Sequence, residues 1–143
     1  MSLDHKSHEL ALLRGSLVKS YRRNFAFDDA DVAVEDTSVA IDLGQPLPAG
    51  AIALAVLADN VDWTDGGAGT FAANVGDGTD DDKFTPTELD IDNGDARLDQ
   101  QILVPAGGDQ LTVTITGSVN LDTLTAGSLD LQVLYVVPDE KVV

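Results

Sequence analysis

Apolar and polar residues alternate along most of the chain from Phe25 onward. In the clearest example, Leu111, Val113 and Ile115 are separated by threonines up to residue 116. A period of two is typical of a β-strand with one buried face, and β-branched residues favour that conformation. The pattern therefore predicts a strand whose aliphatic side faces a core.

Residues 52–58 depart from simple alternation, because every position is apolar (Ile-Ala-Leu-Ala-Val-Leu-Ala). With strict alternation, Ala53, Ala55 and Leu57 share one face and the remaining residues share the other. A strand that is apolar on both faces is either central in a sandwich or covered by a neighbouring subunit. Both interpretations remain open at this point.

The last predicted strand, residues 128–137, changes character along its length. One face is apolar throughout, whereas the other begins with Asp130 and Gln132 and ends with Leu134 and Val136. We expect half of this second face to be solvated and the other half to be covered.

Turn-forming residues such as glycine, proline and aspartate separate these alternating stretches at short intervals. Short strands at such spacing are typical of a sandwich or jelly roll. We therefore predict an all-β fold, a jelly-roll-like antiparallel β-sandwich of about eight strands in a single domain, residues 25–143. The remaining predicted strands cover residues 32–34, 39–43, 71–75, 88–91 and 97–104.

Residues 1–24 form a separate N-terminal arm in this prediction. Leu10, Leu13, Leu17 and Tyr21 fall at helical spacing, so a short amphipathic helix is one interpretation. The segment has few apolar residues and is interrupted by Gly15. An extended tail that orders against a partner is the favoured alternative.

The net charge of -17 is divided unevenly along the chain. Through Arg23 there are five basic and two acidic residues, a balance of +3, and the rest of the chain has a balance of -20. An acidic body repels phosphates, so we expect no nucleic-acid binding. Many aspartates and few lysines also suit a protein that works in high salt, whereas an ordinary acidic surface is the simpler interpretation.

The chain has no cysteine, which excludes disulfides and thiolate metal sites. Its longest apolar run is far shorter than the roughly 20 residues that cross a bilayer, and no secretory leader is recognisable. We expect a protein that is made without export and does not enter a membrane.

An acidic loop follows the predicted strand at 71–75, with the sequence Asp-Gly-Thr-Asp-Asp-Asp-Lys at residues 77–83. Oxygen ligands on a turn suit calcium, and Asp77, Asp80 and Asp82 are the weak candidates. A second acidic stretch, residues 90–95, invites the same interpretation. Neither matches an EF-hand, and a solvated turn without an ion is favoured, so we predict no cofactor.

No catalytic constellation is recognisable in the sequence. The two histidines, His5 and His8, both lie in the arm, and neither a nucleophile elbow nor a phosphate-binding glycine loop is present. We expect a protein without enzymatic activity. Trp63 supports one alternative, a surface module that binds carbohydrate or a host envelope, although a core-edge or interface anchor is the commoner role.

Four segments resemble small β-sandwich virion proteins of tailed bacterial and archaeal viruses, chiefly capsid decoration (cement) proteins. They are residues 47–52 (Leu-Pro-Ala-Gly-Ala-Ile), 74–84, 111–117 and 126–138. The resemblance covers about residues 47–138 and leaves the arm unmatched. It implies a non-enzymatic protein, often trimeric, that stabilises the outer surface of an icosahedral capsid. A head fibre, neck or tail component is the alternative.

The resemblance also implies which residues meet partners. A terminal arm would clip onto the major capsid protein, and the two-sided apolar strand would lie in the homotrimer interface. The expected arm contacts are Arg14, Leu17, Lys19, Tyr21, Arg22, Arg23 and Phe25. The expected subunit-interface residues are Ala53, Ala55, Leu57, Leu134 and Val136.

Overall fold

The computed structural model describes residues 18–62, 70–92, 94–105 and 107–138. In these ranges the chain forms eight strands and one short 3-10 helix, Leu121–Thr123. The strands are β1 (Lys19–Ala26), β2 (Ser38–Asp42), β3 (Ile52–Asp59), β4 (Phe71–Gly76), β5 (Leu89–Asp90), β6 (Ala96–Leu103), β7 (Thr112–Gly117) and β8 (Ser128–Val136). Among the described residues, no helix is long and apolar enough to cross a bilayer.

The strands pair antiparallel in two four-stranded sheets. The first sheet has the order β1-β8-β3-β6, and the second has the order β2-β7-β4-β5. Except for β4 and β5, consecutive strands lie in different sheets, so the chain crosses the core repeatedly. This is a jelly-roll sandwich, and the predicted fold class is confirmed.

The core lies between the two sheets and is built from alternate residues of the strands. β7 buries Val113 and Ile115, and β8 buries Leu129, Leu131 and Val133, which are the faces that the alternation predicted. Burying an aliphatic side chain of this size contributes roughly 1.5–3 kcal/mol. Large side chains from outside these strands complete the core, including Phe25, Leu47, Phe84, Ile91 and Leu121.

The first strand begins before the predicted domain boundary. Residues 19–24, which the sequence analysis assigned to the arm, form the first six residues of β1 and pair with β8 from Lys19↔Tyr135 to Asn24↔Asp130. The sandwich therefore includes residues 19–24. The part of the predicted arm before Val18 lies outside the described residues.

The strand predicted at residues 32–34 is not formed. The Val32 N–H donates to the Asp29 carbonyl oxygen at 2.9 Å, which is a turn contact, although the Val32 side chain is fully buried. Val32 is therefore a loop residue whose apolar side chain fills the core.

A β-bulge in β3 changes which of its residues face outward. The register with both β6 and β8 shifts between Ala53 and Ala55, and a bulge of this kind breaks strict alternation. Ala53 is 0% exposed and belongs to the core cluster. The face assigned to Ala53 from alternation alone was therefore wrong.

Candidate functional surfaces

The expected arm contacts are divided by the fold of β1. Phe25 is 0% exposed in the core, and Tyr21 packs against the core from the same side of the strand. The Arg23 guanidinium contacts an Asp31 carboxylate oxygen at 2.6 Å and lies 4.7 Å from the centre of the Phe25 ring. These residues stabilise the sandwich, so Phe25 in particular is unable to contact another protein while the domain is folded.

The outward side of β1 carries Ser20, Arg22 and Asn24, which are all exposed. Of the predicted arm residues in β1, Arg22 is the one most open to solvent, and Lys19 is half-buried. Arg14 and Leu17 lie outside the described residues. The sequence alone does not show which of the two arginines faces inward, because Arg22 and Arg23 are adjacent and identical.

The outer face of the first sheet carries an apolar strip at one end. Its members are partly or mostly exposed and are not among the apolar residues that pack against the described core. Leu103 pairs with Ile52 and Ile52 with Val136, so the strip runs across three neighbouring strands. Leu103 is 67% exposed. We define the apolar strip as Ile52, Leu54, Leu57, Leu103, Leu134 and Val136.

The predicted subunit-interface residues are therefore only partly on this surface. Leu57, Leu134 and Val136 belong to the apolar strip. Ala55 pairs with Leu134 and lies outside the core cluster, but it is 1% exposed and offers almost no surface. Ala53 is in the core for the reason given above. Leu54, which the prediction left out, is brought to the surface by the bulge.

The other end of this face is polar and satisfies its own hydrogen bonds. The Asp130 carboxylate accepts hydrogen bonds from the Asn24 and Asn60 amides, each at 2.9 Å, and both lower the pKa of Asp130. The Gln132 amide donates to the Asp59 carboxylate at 2.8 Å. Within the described chain, the polar end of this face thus uses its side chains in hydrogen bonds to one another, whereas the apolar end consists of side chains that make no hydrogen bonds.

The acidic loop, residues 77–83, is organised by Asp77. Its carboxylate accepts hydrogen bonds from the Thr79 N–H, the Asp80 N–H and the Thr79 hydroxyl at 2.8–2.9 Å. The backbone hydrogen bond from Thr79 is the largest influence, and together these contacts outweigh burial and lower the pKa of Asp77 to about 2. This is an Asx-type turn in which the side chain replaces a backbone partner.

Lys83 joins this loop to a distant segment. Its Nζ lies 2.7 Å from an Asp109 carboxylate oxygen and 3.3 Å from one of Asp77. Partial burial opposes the lysine charge, but the hydrogen bonds and charges of Asp109 and Asp77 outweigh it, so the pKa of Lys83 is raised. Asp109 is 6% exposed and also pairs through its backbone with Leu47. The cluster therefore fastens the acidic loop to the entry of β3.

The predicted calcium ligands are only partly brought together. The carboxylates of Asp80, Asp81 and Asp82 lie within 4.8 Å of one another, whereas Asp77 contacts Lys83. Hydrogen bonding with Asp80 and the negative charges of Asp80 and Asp81 raise the pKa of Asp82. An exposed acidic cluster is common without an ion, so a solvated turn stays the prediction and calcium binding its alternative, and a comparison of melting temperatures with and without chelator tests between them.

Several residues named for other chemistry lie outside the described residues. These are His5 and His8 in the arm and Trp63, the proposed stacking platform for carbohydrate. Three open grooves of about 400, 380 and 660 Å³ lie on the described surface. Among the described residues that line them, Phe71 is the only aromatic one, and it is almost fully buried, so the described linings offer no aromatic platform for a sugar ring.

Chains in two solved viral structures have a similar fold. One, in the cyanophage Pam1 capsid asymmetric unit, aligns with a TM-score of 0.55 and 23% identity over 85% of each chain. The other, in the acidic stable capsid structure of Helicobacter pylori bacteriophage KHP30, aligns with a TM-score of 0.53 and 18% identity over 86% of this chain and 90% of that one. No family model and no curated protein match the sequence. At these identities the likeness shows a common fold.

Proposed function

We propose that this protein is a non-enzymatic structural component of a virion that decorates and stabilises the outer surface of the icosahedral capsid of a tailed virus. The observation that carries the proposal is the likeness to chains of two phage capsid structures over at least 85% of each chain. The chain thus corresponds to nearly the whole of those chains. Contacts repeated over a shell need not be strong individually, because many copies act together.

Attachment uses the N-terminal residues and the outer face of the first sheet. Residues 1–23 carry a balance of +3 on a chain whose remainder carries -20, and Arg22 is exposed on that face. A positive segment on an acidic body suits an acidic patch of the major capsid protein, since complementary charge guides association. Phe25 and Tyr21 belong to the core, and the attachment residues are therefore Arg22, Lys19 and those before Val18.

A pair of truncations tests the role of this segment. Removing residues 1–17 leaves β1 complete, whereas removing residues 1–24 deletes six of its eight residues and exposes the edge of β8. We expect the shorter truncation to stay folded by circular dichroism and the longer one to lose its cooperative melting. Binding is measured by co-sedimentation with shells assembled from the major capsid protein of the same virus.

The shorter truncation should bind these shells at least about tenfold more weakly, a loss of about 1.4 kcal/mol. Arg22→Glu should weaken binding in the same direction. Thr114→Glu, which adds negative charge to β7 of the second sheet, is the control and should bind as the parent does. Unchanged affinity of the folded truncated protein would contradict attachment through the N-terminal residues.

The homotrimer expected from the sequence is part of this proposal. Light scattering of the purified protein should give three times the chain mass of 15.0 kDa. A monomer mass at micromolar concentration would contradict the trimer. The protein would then decorate the shell as single copies.

A further inference from the structure

Val18, where the described chain begins, lies at the same end of the first sheet as the apolar strip. Val18 is 55% exposed and leads directly into β1, whose neighbour β8 contributes Leu134 and Val136 to the strip. Within the described chain, all six members of the strip are partly or mostly exposed. Because these side chains are grouped on one surface instead of scattered singly, the strip is a candidate contact site.

The size of the strip decides between two kinds of occupant. Three strands at about 4.8 Å spacing are about 10 Å across, and the strip extends along β3 from Ile52 to Leu57, or about 17 Å. This footprint is far below the roughly 800 Å² that each partner buries in a stable protein–protein interface. A second copy seated on the strip alone would bury too little, whereas one short segment of chain would cover it.

Residues 7–14 have the composition and length of such a segment. Leu10 and Leu13 fall on one side at helical spacing, and eight residues in a helix span about 12 Å, which fits within the length of the strip. Gly15 and Ser16 lie just before Val18, and both residue types permit the chain to reverse its direction. The segment carries one acidic and one basic residue, Glu9 and Arg14, so charge does not oppose its approach.

We propose that residues 7–14 of each chain dock on the apolar strip of the same chain, with Leu10 and Leu13 against it. Tethering at Val18 favours this occupant over an equivalent segment of another molecule, because the linker is short and the local concentration is therefore high. Docking covers Ile52, Leu54 and Leu134 and brings Arg14 onto the same face as Arg22. The inference goes beyond the proposed function, and its test needs no shell.

Engineered disulfides test this docking, because the chain has no cysteine of its own. Two full-length variants each carry one pair: Leu13→Cys with Leu134→Cys, and Leu10→Cys with Leu103→Cys. The control pairs Leu13→Cys with Thr114→Cys, which lies in β7 of the second sheet. Each variant is checked for folding, oxidised at low protein concentration and examined by non-reducing electrophoresis and peptide mass mapping.

We expect a within-chain disulfide to form at least about tenfold faster in one or both of the test pairs than in the control. Measuring both pairs guards against a single mismatch in register, since two cysteines must approach within about 7 Å between Cα atoms. Covalent dimers or trimers in place of within-chain bonds would overturn the proposal in favour of exchange between copies. Rates equal to the control in both test pairs would overturn docking on the strip.

Discussion

Lys83 connects the carboxylates of Asp77 and Asp109, which are distant in sequence. Removing its charge should lower the free energy of unfolding. Lys83→Met keeps the length and apolar stem of the side chain but leaves Asp109 buried without its cationic partner. An uncompensated buried charge is strongly destabilising. Because Lys83 is partly solvated, we expect a loss of about 2 kcal/mol in the free energy of unfolding, measured with urea.

Arg97→Met is the matched control for this substitution. The Arg97 Nε contacts an Asp99 carboxylate oxygen at 2.7 Å, but both side chains are exposed. Exposed pairs contribute little, so a change below about 0.5 kcal/mol is expected. Equal effects of the two substitutions would show that the Lys83 contacts do not fasten the loop.

The pKa of Asp77 predicts a pH dependence of stability. Its value falls from 3.8 to about 2 in the folded protein, so its stabilising contribution is complete above about pH 5 and is lost progressively as the pH falls toward 2. The expected contribution is on the order of 2 kcal/mol. Asp77→Asn should remove this part of the pH dependence of urea unfolding between about pH 5 and 2, and an unchanged curve would contradict it. Asp82 and Asp92, whose pKa values are raised by neighbouring carboxylates, act in the opposite direction.

At the scale of elements, the turn from β4 into the acidic loop depends on Gly76. A Cβ atom there would overlap the Asp80 carbonyl oxygen and backbone carbons of Asp81, which only a shift of the loop relieves. At Gly78, in the same loop, a Cβ atom would meet no atom within 4 Å. We expect Gly76→Ala to lower the free energy of unfolding by more than about 2 kcal/mol and Gly78→Ala to change it by less than about 0.5 kcal/mol. Similar urea midpoints for both variants would contradict the close approach of the loop backbone to Gly76.

The strands that the sequence predicted well are those with a continuous apolar face. β7 and β8 alternate without interruption, and their buried residues are those expected. β1 was missed because its inward positions are Tyr21, Arg23 and Phe25, a set in which an arginine interrupts the apolar pattern. The bulge in β3 has no signature in a stretch where every residue is apolar, so the faces of Ala53 and Leu54 were not predictable.

The candidate site was less accessible to sequence analysis than the fold. The acidic loop is conspicuous, but its connection through Lys83 to Asp109 joins residues 26 positions apart, and no local pattern reports such a contact. The apolar strip combines residues from three strands with a shifted register. Three of its members were named from the sequence: Leu57, from a strand that is apolar on both faces, and Leu134 and Val136, because there the second face of β8 changes from polar to apolar.

The whole molecule has two dissimilar sides. The outer face of the first sheet carries the apolar strip and Arg22, whereas the second sheet is lined by hydroxyl groups such as those of Thr112 and Thr114 beside the acidic loop. In the proposed function, the first sheet faces the shell and the second faces solvent. Decoration of a shell is thus consistent with both surfaces.

The number of copies in purified virions tests the central claim, a capsid decoration protein, most directly. Quantitative mass spectrometry against the major capsid protein gives this number without assuming an attachment site. Because decoration repeats over an icosahedral lattice, we predict hundreds of copies in each particle. A handful of copies, or none, would contradict decoration, and a handful would place the protein in a neck, tail or fibre instead.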